Sequence, residues 1–233
     1  MDTNLIGITE RGDASLSLDW IPWVSQGKPA ILITKDPEKL YQILSVFKPL
    51  PNIIVHTTIT GLGGSMFEPN VPYWNTSLDA YNKLIDLLDQ SRIVLRIDPI
   101  IPTEDGIETA KQVLDIASKN GLKTRVRISF VDNYEHVKQR LKDLKMLQFP
   151  WEDFHAPFGL RKWIWEEFGK PEICGEPGFD CIGCVSNKDC EILGVQPLGK
   201  GHQRQACHCL ANKIELLSNK KQCLHKCVYC YWR

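Results

Sequence analysis

The sequence lacks a long apolar run, an excess of charge of either sign, and any cysteine before residue 174. No apolar stretch approaches the roughly 20 residues of a membrane-spanning helix, and the first residues, MDTNLIGITERGD, lack a signal-peptide layout. Basic and acidic residues number 28 each, so no basic field favours nucleic acid. We therefore expect a cytoplasmic protein with no membrane partner, for which nucleic acid is a disfavoured partner.

All nine cysteines lie in the last part of the chain, between residues 174 and 230. Cytosolic thiols stay reduced, so clustered cysteines indicate metal or redox chemistry rather than a disulfide framework. A chain of 233 residues with 43% hydrophobic content can bury a sizeable core without such help. We therefore treat residues 1–173 as the core and residues 174–233 as a Cys-rich metal-binding segment that completes it.

Short β-rich runs alternate with amphipathic stretches along the core. The predicted strands are 5–9, 30–34, 52–59, 92–97, 123–131 and 172–174, and the predicted helices are 78–90, 107–120, 136–147 and 158–169. Such alternation implies an α/β fold with parallel strands and helical crossovers, either a barrel or an open sheet.

The stretch CLHKCVYCYWR carries Cys223, Cys227 and Cys230 in the spacing C-x3-C-x2-C. Three thiolates on one loop can hold three corners of a [4Fe–4S] cluster and leave the fourth iron open to a chelating molecule. Half of a zinc site is the alternative, with His225 or His208 as the fourth ligand.

The triplet, with aromatic Tyr229 before its third cysteine, resembles the cluster motif of the radical S-adenosylmethionine superfamily. The whole chain is similar to an uncharacterised domain-of-unknown-function family in which the triplet lies near the C-terminus. The segments that carry this likeness are ITERGD, ILITKDP, EPNVP, RIDPI, ISFVD, QRQACHC and CLHKCVYCY.

The resemblance implies an enzyme that reductively cleaves S-adenosylmethionine at the cluster to give a 5′-deoxyadenosyl radical. The substrate stays unknown, and the electron donor would be a protein such as flavodoxin or ferredoxin. In the superfamily the motif follows the first strand of a partial (β/α) barrel. A strand near residues 214–217 would take that place here, which implies a circularly permuted, partial TIM-type barrel with its chemistry at one mouth.

Polar residues at the predicted strand ends are the candidate cofactor-binding residues. They are Thr9, Glu10, Arg11, Thr34, Lys35, Thr58, Arg96, Asp98 and Ser129, with Tyr229 from the triplet loop. Strand alternation aims Arg96 and Asp98 to the same side, so either they form a buried ion pair or Arg96 grips a carboxylate of the ligand. Glu10 suits the methionyl ammonium.

The other six cysteines predict a second site, either an auxiliary iron–sulfur cluster or structural zinc. The resemblance and the local spacing favour different ligand sets, and both stay open. The former favours Cys174, Cys190, Cys207 and Cys209, and the latter Cys181, Cys184 and Cys190.

Two other function classes are compatible with the cysteines. One is a non-catalytic zinc or iron–sulfur binding module. The other is a nucleic-acid repair enzyme of the photoproduct-lyase type, which the formal net charge of zero disfavours.

Overall fold

The computed structural model describes residues 4–119, 124–146, 148–201, 206–217 and 223–231. Within these ranges seven strands form one parallel sheet, curled into a half barrel, in the order β6-β5-β4-β3-β2-β1-β7. The strands are β1 (Ile6–Ile8), β2 (Ala30–Thr34), β3 (Ile53–Thr58), β4 (Ile93–Ile100), β5 (Arg125–Phe130), β6 (Glu172–Ile173) and β7 (Lys213–Glu215). The expected partial α/β barrel is confirmed at this level.

The helices of the described residues lie mostly between successive strands. They are α1 (Ile21–Val24), α2 (Pro37–Leu44), α3 (Trp74–Leu88), α4 (Glu104–Lys119), α5 (Glu135–Asp143), α6 (Phe158–Glu167) and α7 (Asn187–Leu193). The prediction began α3 four residues late. Residues 120, 123 and 147, at the ends of predicted elements, lie outside the described ranges.

Alternation along each strand gives the sheet two different faces. Leu32, Val55 and Leu95 point outward and pack in the large core with the helices. Ile54 and Val94 point inward, into a second core that contains five of the cysteines. The Cys-rich segment therefore fills the concave side of the half barrel.

Strand β7 brings the Cys-rich segment into the sheet itself. It pairs in parallel with β1, with Ile6 opposite Lys213 and Ile8 opposite Glu215. The loop that carries the triplet therefore starts from the same edge of the sheet as the other strand ends. In the described part of the chain, no helix is both long and apolar enough to cross a membrane.

Candidate functional site

A cavity lies at the carboxyl ends of the strands, where parallel α/β sheets place their ligands. All but one of the ten candidate cofactor-binding residues line it: Glu10, Arg11, Thr34, Lys35, Thr58, Arg96, Asp98, Ser129 and Tyr229. Thr9 is the exception. Its buried hydroxyl accepts a hydrogen bond from the Ile33 N–H at 2.8 Å, so this side chain serves the sheet instead.

The three cysteines of the terminal triplet line the same cavity. Cys227 is buried, whereas Cys223 and Cys230 are partly exposed. Burial raises the pKa of the Cys227 thiol to about 12, although the nearby Lys35 ammonium acts in the opposite direction. Arg140 holds the loop by its backbone, because Nη2 donates to the Cys230 carbonyl at 2.7 Å.

A buried polar network fixes the triplet loop to the sheet. Lys35 Nζ lies 2.7 Å from Glu68 Oε1 and 3.0 Å from the Tyr229 hydroxyl, which also donates to Glu68. Thr60 donates to the other Glu68 oxygen at 2.7 Å. Burial alone would raise the pKa of Glu68, but Lys35, Tyr229 and Thr60 together lower it below its ordinary value. Glu68 therefore stays ionised and anchors the loop.

His225, inside the triplet, has protein partners on both ring nitrogens. Nε2 lies 2.8 Å from Asp13 Oδ2, and Nδ1 lies 3.1 Å from the Asn70 carbonyl oxygen. Burial disfavours the charged imidazolium, but the bond to Asp13 outweighs it and raises the pKa of His225. The other candidate fourth ligand, His208, has Nδ1 2.9 Å from the Cys181 carbonyl oxygen and is not among the lining residues. Neither of these two histidines is therefore placed as a fourth ligand of the triplet.

Arg96 and Asp98 point to the same side of β4, as alternation predicts. Their side chains form an ion pair, and the Ser129 hydroxyl donates to the second Asp98 oxygen. The pair also lines the cavity. The two interpretations of Arg96, an ion pair with Asp98 and a position next to a ligand, are therefore compatible. A ligand carboxylate at Arg96 would add to an existing pair.

Each carboxylate in the lining already has a basic protein partner. The pairs are Glu10 with Lys213, Asp13 with His225, Asp98 with Arg96, and Asp132 with His155. With the histidine also engaged, the thiols of the triplet are the soft donors that the lining offers to a metal.

Among the described residues, no three His, Cys, Asp or Glu side chains are arranged to hold a metal ion. The three thiols of the triplet nevertheless line one cavity.

Aromatic rings form a flat surface at the cavity, which sequence reasoning missed. Tyr134 and Tyr231 both line it and stack at a centroid distance of 6.2 Å. Tyr134 also stacks on His136 at 5.3 Å. Because Tyr134 and Tyr231 lie far apart in the chain, only the fold brings their rings together.

Four of the remaining cysteines form a chain of sulfur contacts inside the half barrel. Cys174 Sγ lies 3.8 Å from Cys184 Sγ, and the Cys184 N–H donates to Cys209 Sγ at 3.1 Å. The thiols of Cys207 and Cys209 are hydrogen-bonded to each other.

The last two of these six cysteines have other surroundings. The Cys181 thiol contacts the backbone N and O of Glu176, at 3.2 Å in each case. Cys190 lies on α7, where burial and the neighbouring Asp189 raise the pKa of its thiol.

Comparison with known proteins gives one family. The family model described as "Domain of unknown function (DUF1848)" matches residues 26–232, which include all nine cysteines. No curated protein matches the sequence.

Proposed function

The chain belongs to this uncharacterised DUF1848 family, and from its site we propose that it is a radical S-adenosylmethionine enzyme. The observation that carries the proposal is the cavity lining. Cys223, Cys227 and Cys230 face one cavity in which the histidine and the carboxylates already have protein partners. Three thiolates without a fourth protein ligand suit a [4Fe–4S] cluster that leaves one iron to a small chelating molecule.

Held by Cys223, Cys227 and Cys230 and reduced, such a cluster would supply the one electron that cleaves the sulfonium C–S bond of S-adenosylmethionine, giving methionine and a 5′-deoxyadenosyl radical. The electron would come from a protein donor such as flavodoxin or ferredoxin. The protein's part is to bind, orient and shield, because the cofactors perform the bond breaking.

We assign the polar lining to the methionyl end of the cofactor. The Glu10 carboxylate, which forms an ion pair with Lys213, is the partner for the ammonium. Arg96 offers its guanidinium to the carboxylate, for which a planar fork is suited. Its side chain is held in place by Asp98, which in turn accepts from Ser129.

We assign the adenine ring to the aromatic surface of Tyr134 and Tyr231. A flat purine stacks on such rings with little entropic cost, since each tyrosine side chain has few rotatable bonds. The network of Lys35, Glu68 and Tyr229 positions the triplet loop in the same cavity. Buried Tyr229 shields Cys227 from solvent.

We further propose that β7 acts as the first strand of a circularly permuted barrel. Its parallel pairing with β1 supports this order, because β7 precedes the triplet loop just as the first strand precedes the motif in the superfamily. The strands then follow around the sheet as β7, β1, β2, β3, β4, β5 and β6.

The test is to purify the protein anaerobically, reduce it, and record its electron paramagnetic resonance spectrum with and without S-adenosylmethionine. We expect a cluster signal that changes on adding the cofactor, and 5′-deoxyadenosine among the products. Cys227→Ala should abolish both results, whereas Cys190→Ala, the same change at a buried cysteine outside the cavity, should keep both.

Two outcomes contradict the proposal. One is zinc bound at the triplet in a colourless protein that is stable in air. The other is a Cys227→Ala protein that still forms 5′-deoxyadenosine at the rate of the unchanged protein.

A further inference from the structure

Deep in the half barrel, several buried polar atoms have no hydrogen-bond partner among the described residues. They are both ring nitrogens of His56, Nε of Arg96 and Nη1 of Arg127. All three side chains point to the concave face, because they alternate with outward-facing residues such as Val55 and Leu95. A buried donor without a partner is unfavourable and uncommon in folded proteins, so three such side chains on one face indicate a shared acceptor.

The sulfur chain lies on this same concave face. Cys174 and Cys184 pack in one apolar cluster with Ile54 and Val94, the inward neighbours of His56 and Arg96 on their strands. Both guanidinium groups, of Arg96 and Arg127, are close enough to act electrostatically on the Cys174 thiol. The unpartnered donors and the thiols therefore lie on the same face of the sheet.

The backbone around the sulfur chain is built for close approach. A Cβ atom at Gly183 would lie 2.4 Å from both the N and the Cα of Cys209, which no other residue type tolerates without movement. Glycine here lets the loop of Cys184 lie directly against Cys209. The contact between these two cysteines is thus specified by the sequence.

Neutral thiols do not explain the donors, because a thiol is a weak acceptor. Thiolates bound to metal carry negative charge and accept N–H hydrogen bonds, which tune such sites. A neutral or charged His56 always presents at least one N–H, and the two arginines present theirs permanently. A centre with four thiolates would therefore supply acceptors for these unpartnered donors.

We propose that Cys174, Cys184, Cys207 and Cys209 bind a second iron–sulfur cluster inside the half barrel, with His56 donating to it from β3. The chain of sulfur contacts brings together four thiols, the number of thiolates that commonly holds an iron–sulfur cluster. The site does not depend on the terminal triplet or on the proposed reaction.

The test uses the full chain with all three triplet cysteines changed to alanine, so that only the inner site remains. Protein prepared anaerobically should contain iron and acid-labile sulfide in equal amounts, two or four of each per chain. Adding Cys184→Ala should remove both. Cys181→Ala and Cys190→Ala are the matched controls and should leave iron and sulfide unchanged.

His56→Leu in the same background gives a readout that does not depend on losing the cluster. Removing an N–H donor should leave the iron content unchanged and shift the reduction potential to more negative values, since a hydrogen bond stabilises the more negative reduced state. This variant decides the matter if Cys184→Ala does not fold, as judged by circular dichroism.

The proposal is overturned if the triplet-free protein contains no iron and sulfide, or one zinc per chain in their place. It is equally overturned if Cys184→Ala folds and retains the cluster. If the reduction potential is unchanged in His56→Leu, His56 does not donate a hydrogen bond to the cluster, and the argument for the site fails. None of these results bears on the triplet, whose own test uses S-adenosylmethionine.

Discussion

The two groups of cysteines lie in different parts of the fold, the triplet in the cavity at the carboxyl ends of the strands and the inner four inside the half barrel, and they have opposite surroundings. The triplet is partly exposed in a cavity whose carboxylates and histidine are paired with other protein groups. The inner four are all buried, and the polar groups facing them include donors without partners. An open coordination position is typical of catalytic metal sites, and full protein ligation is typical of structural or electron-transfer sites. The contrast supports our two proposals, catalysis at the triplet and a closed site at the inner four.

Among the substitutions around the triplet, we expect Glu68→Gln to have the largest effect on stability. The change leaves Lys35, which is only 18% exposed on its side chain, without its carboxylate partner. Losing one member of a buried pair costs about 3–5 kcal/mol, and the partial exposure of Lys35 favours the lower end. We expect a free energy of unfolding at pH 7 lower by about 3 kcal/mol, measured by chemical denaturation.

The double variant Lys35→Met with Glu68→Gln is the control for this prediction. It leaves no unpaired buried charge, so its loss should be smaller than that of Glu68→Gln alone. A double variant that is less stable than the single one would show that the network does not depend on this pair.

Gly183→Ala tests the close packing around the inner four cysteines. The added methyl group meets the backbone of Cys209 and forces the two loops apart, at a cost of about 1–3 kcal/mol. The amount of iron bound by the inner site should fall, whereas the amount bound by the triplet should not change. Metal analysis of two proteins, each lacking the cysteines of the other group, measures the two amounts separately. Gly159→Ala is the matched control, since nothing lies within 4 Å of its Cβ position. Equal stability losses in the two variants would contradict the close approach.

Tyr81 on α3 belongs to the outer core and gives a prediction that is independent of both cysteine groups. Burial raises the pKa of its hydroxyl to about 12, against the opposing hydrogen bond with Thr124. Because the folded-state pKa lies above the unfolded value near 10, the stabilisation is complete below about pH 10 and is lost as pH rises through about 12. Tyr81→Phe should lack this loss, which is up to about 1.4 kcal/mol per pH unit.

The check is to compare free energies of unfolding of the two proteins between about pH 9 and pH 11. Parallel curves would contradict the prediction. The same curves show how much high pH weakens the fold in general, which is needed before thiol titrations in either cysteine group are interpreted.

The sheet was predictable because its strands are short β-rich runs between turn signals. Strand β2 matches its predicted bounds, and β3 and β5 differ by one or two residues at each end. The cavity residues were predictable for a related reason: the carboxyl ends of parallel strands meet at one edge. Helix α7 was missed although Ser186 and Asp189 form a capping box around its start, a local signal that the sequence carries.

Long-range pairs were beyond sequence reasoning. Glu68 meets Tyr229 across 161 positions, and Asp13 meets His225 across 212, so no local pattern connects them. The sulfur chain has the same origin. Local spacing groups Cys184 with its sequence neighbours, whereas the fold brings it against Cys209, 25 positions away.

The pairing of β1 with β7 has a consequence for how the chain is made. Arg11 and Glu215 are joined by a hydrogen bond across 204 positions, and the Leu216 N–H donates to Ile8. On the ribosome, this edge of β1 therefore stays unpaired until residues 213–215 have emerged. Closing that edge and delivering the triplet loop to the cavity become a single late step of synthesis.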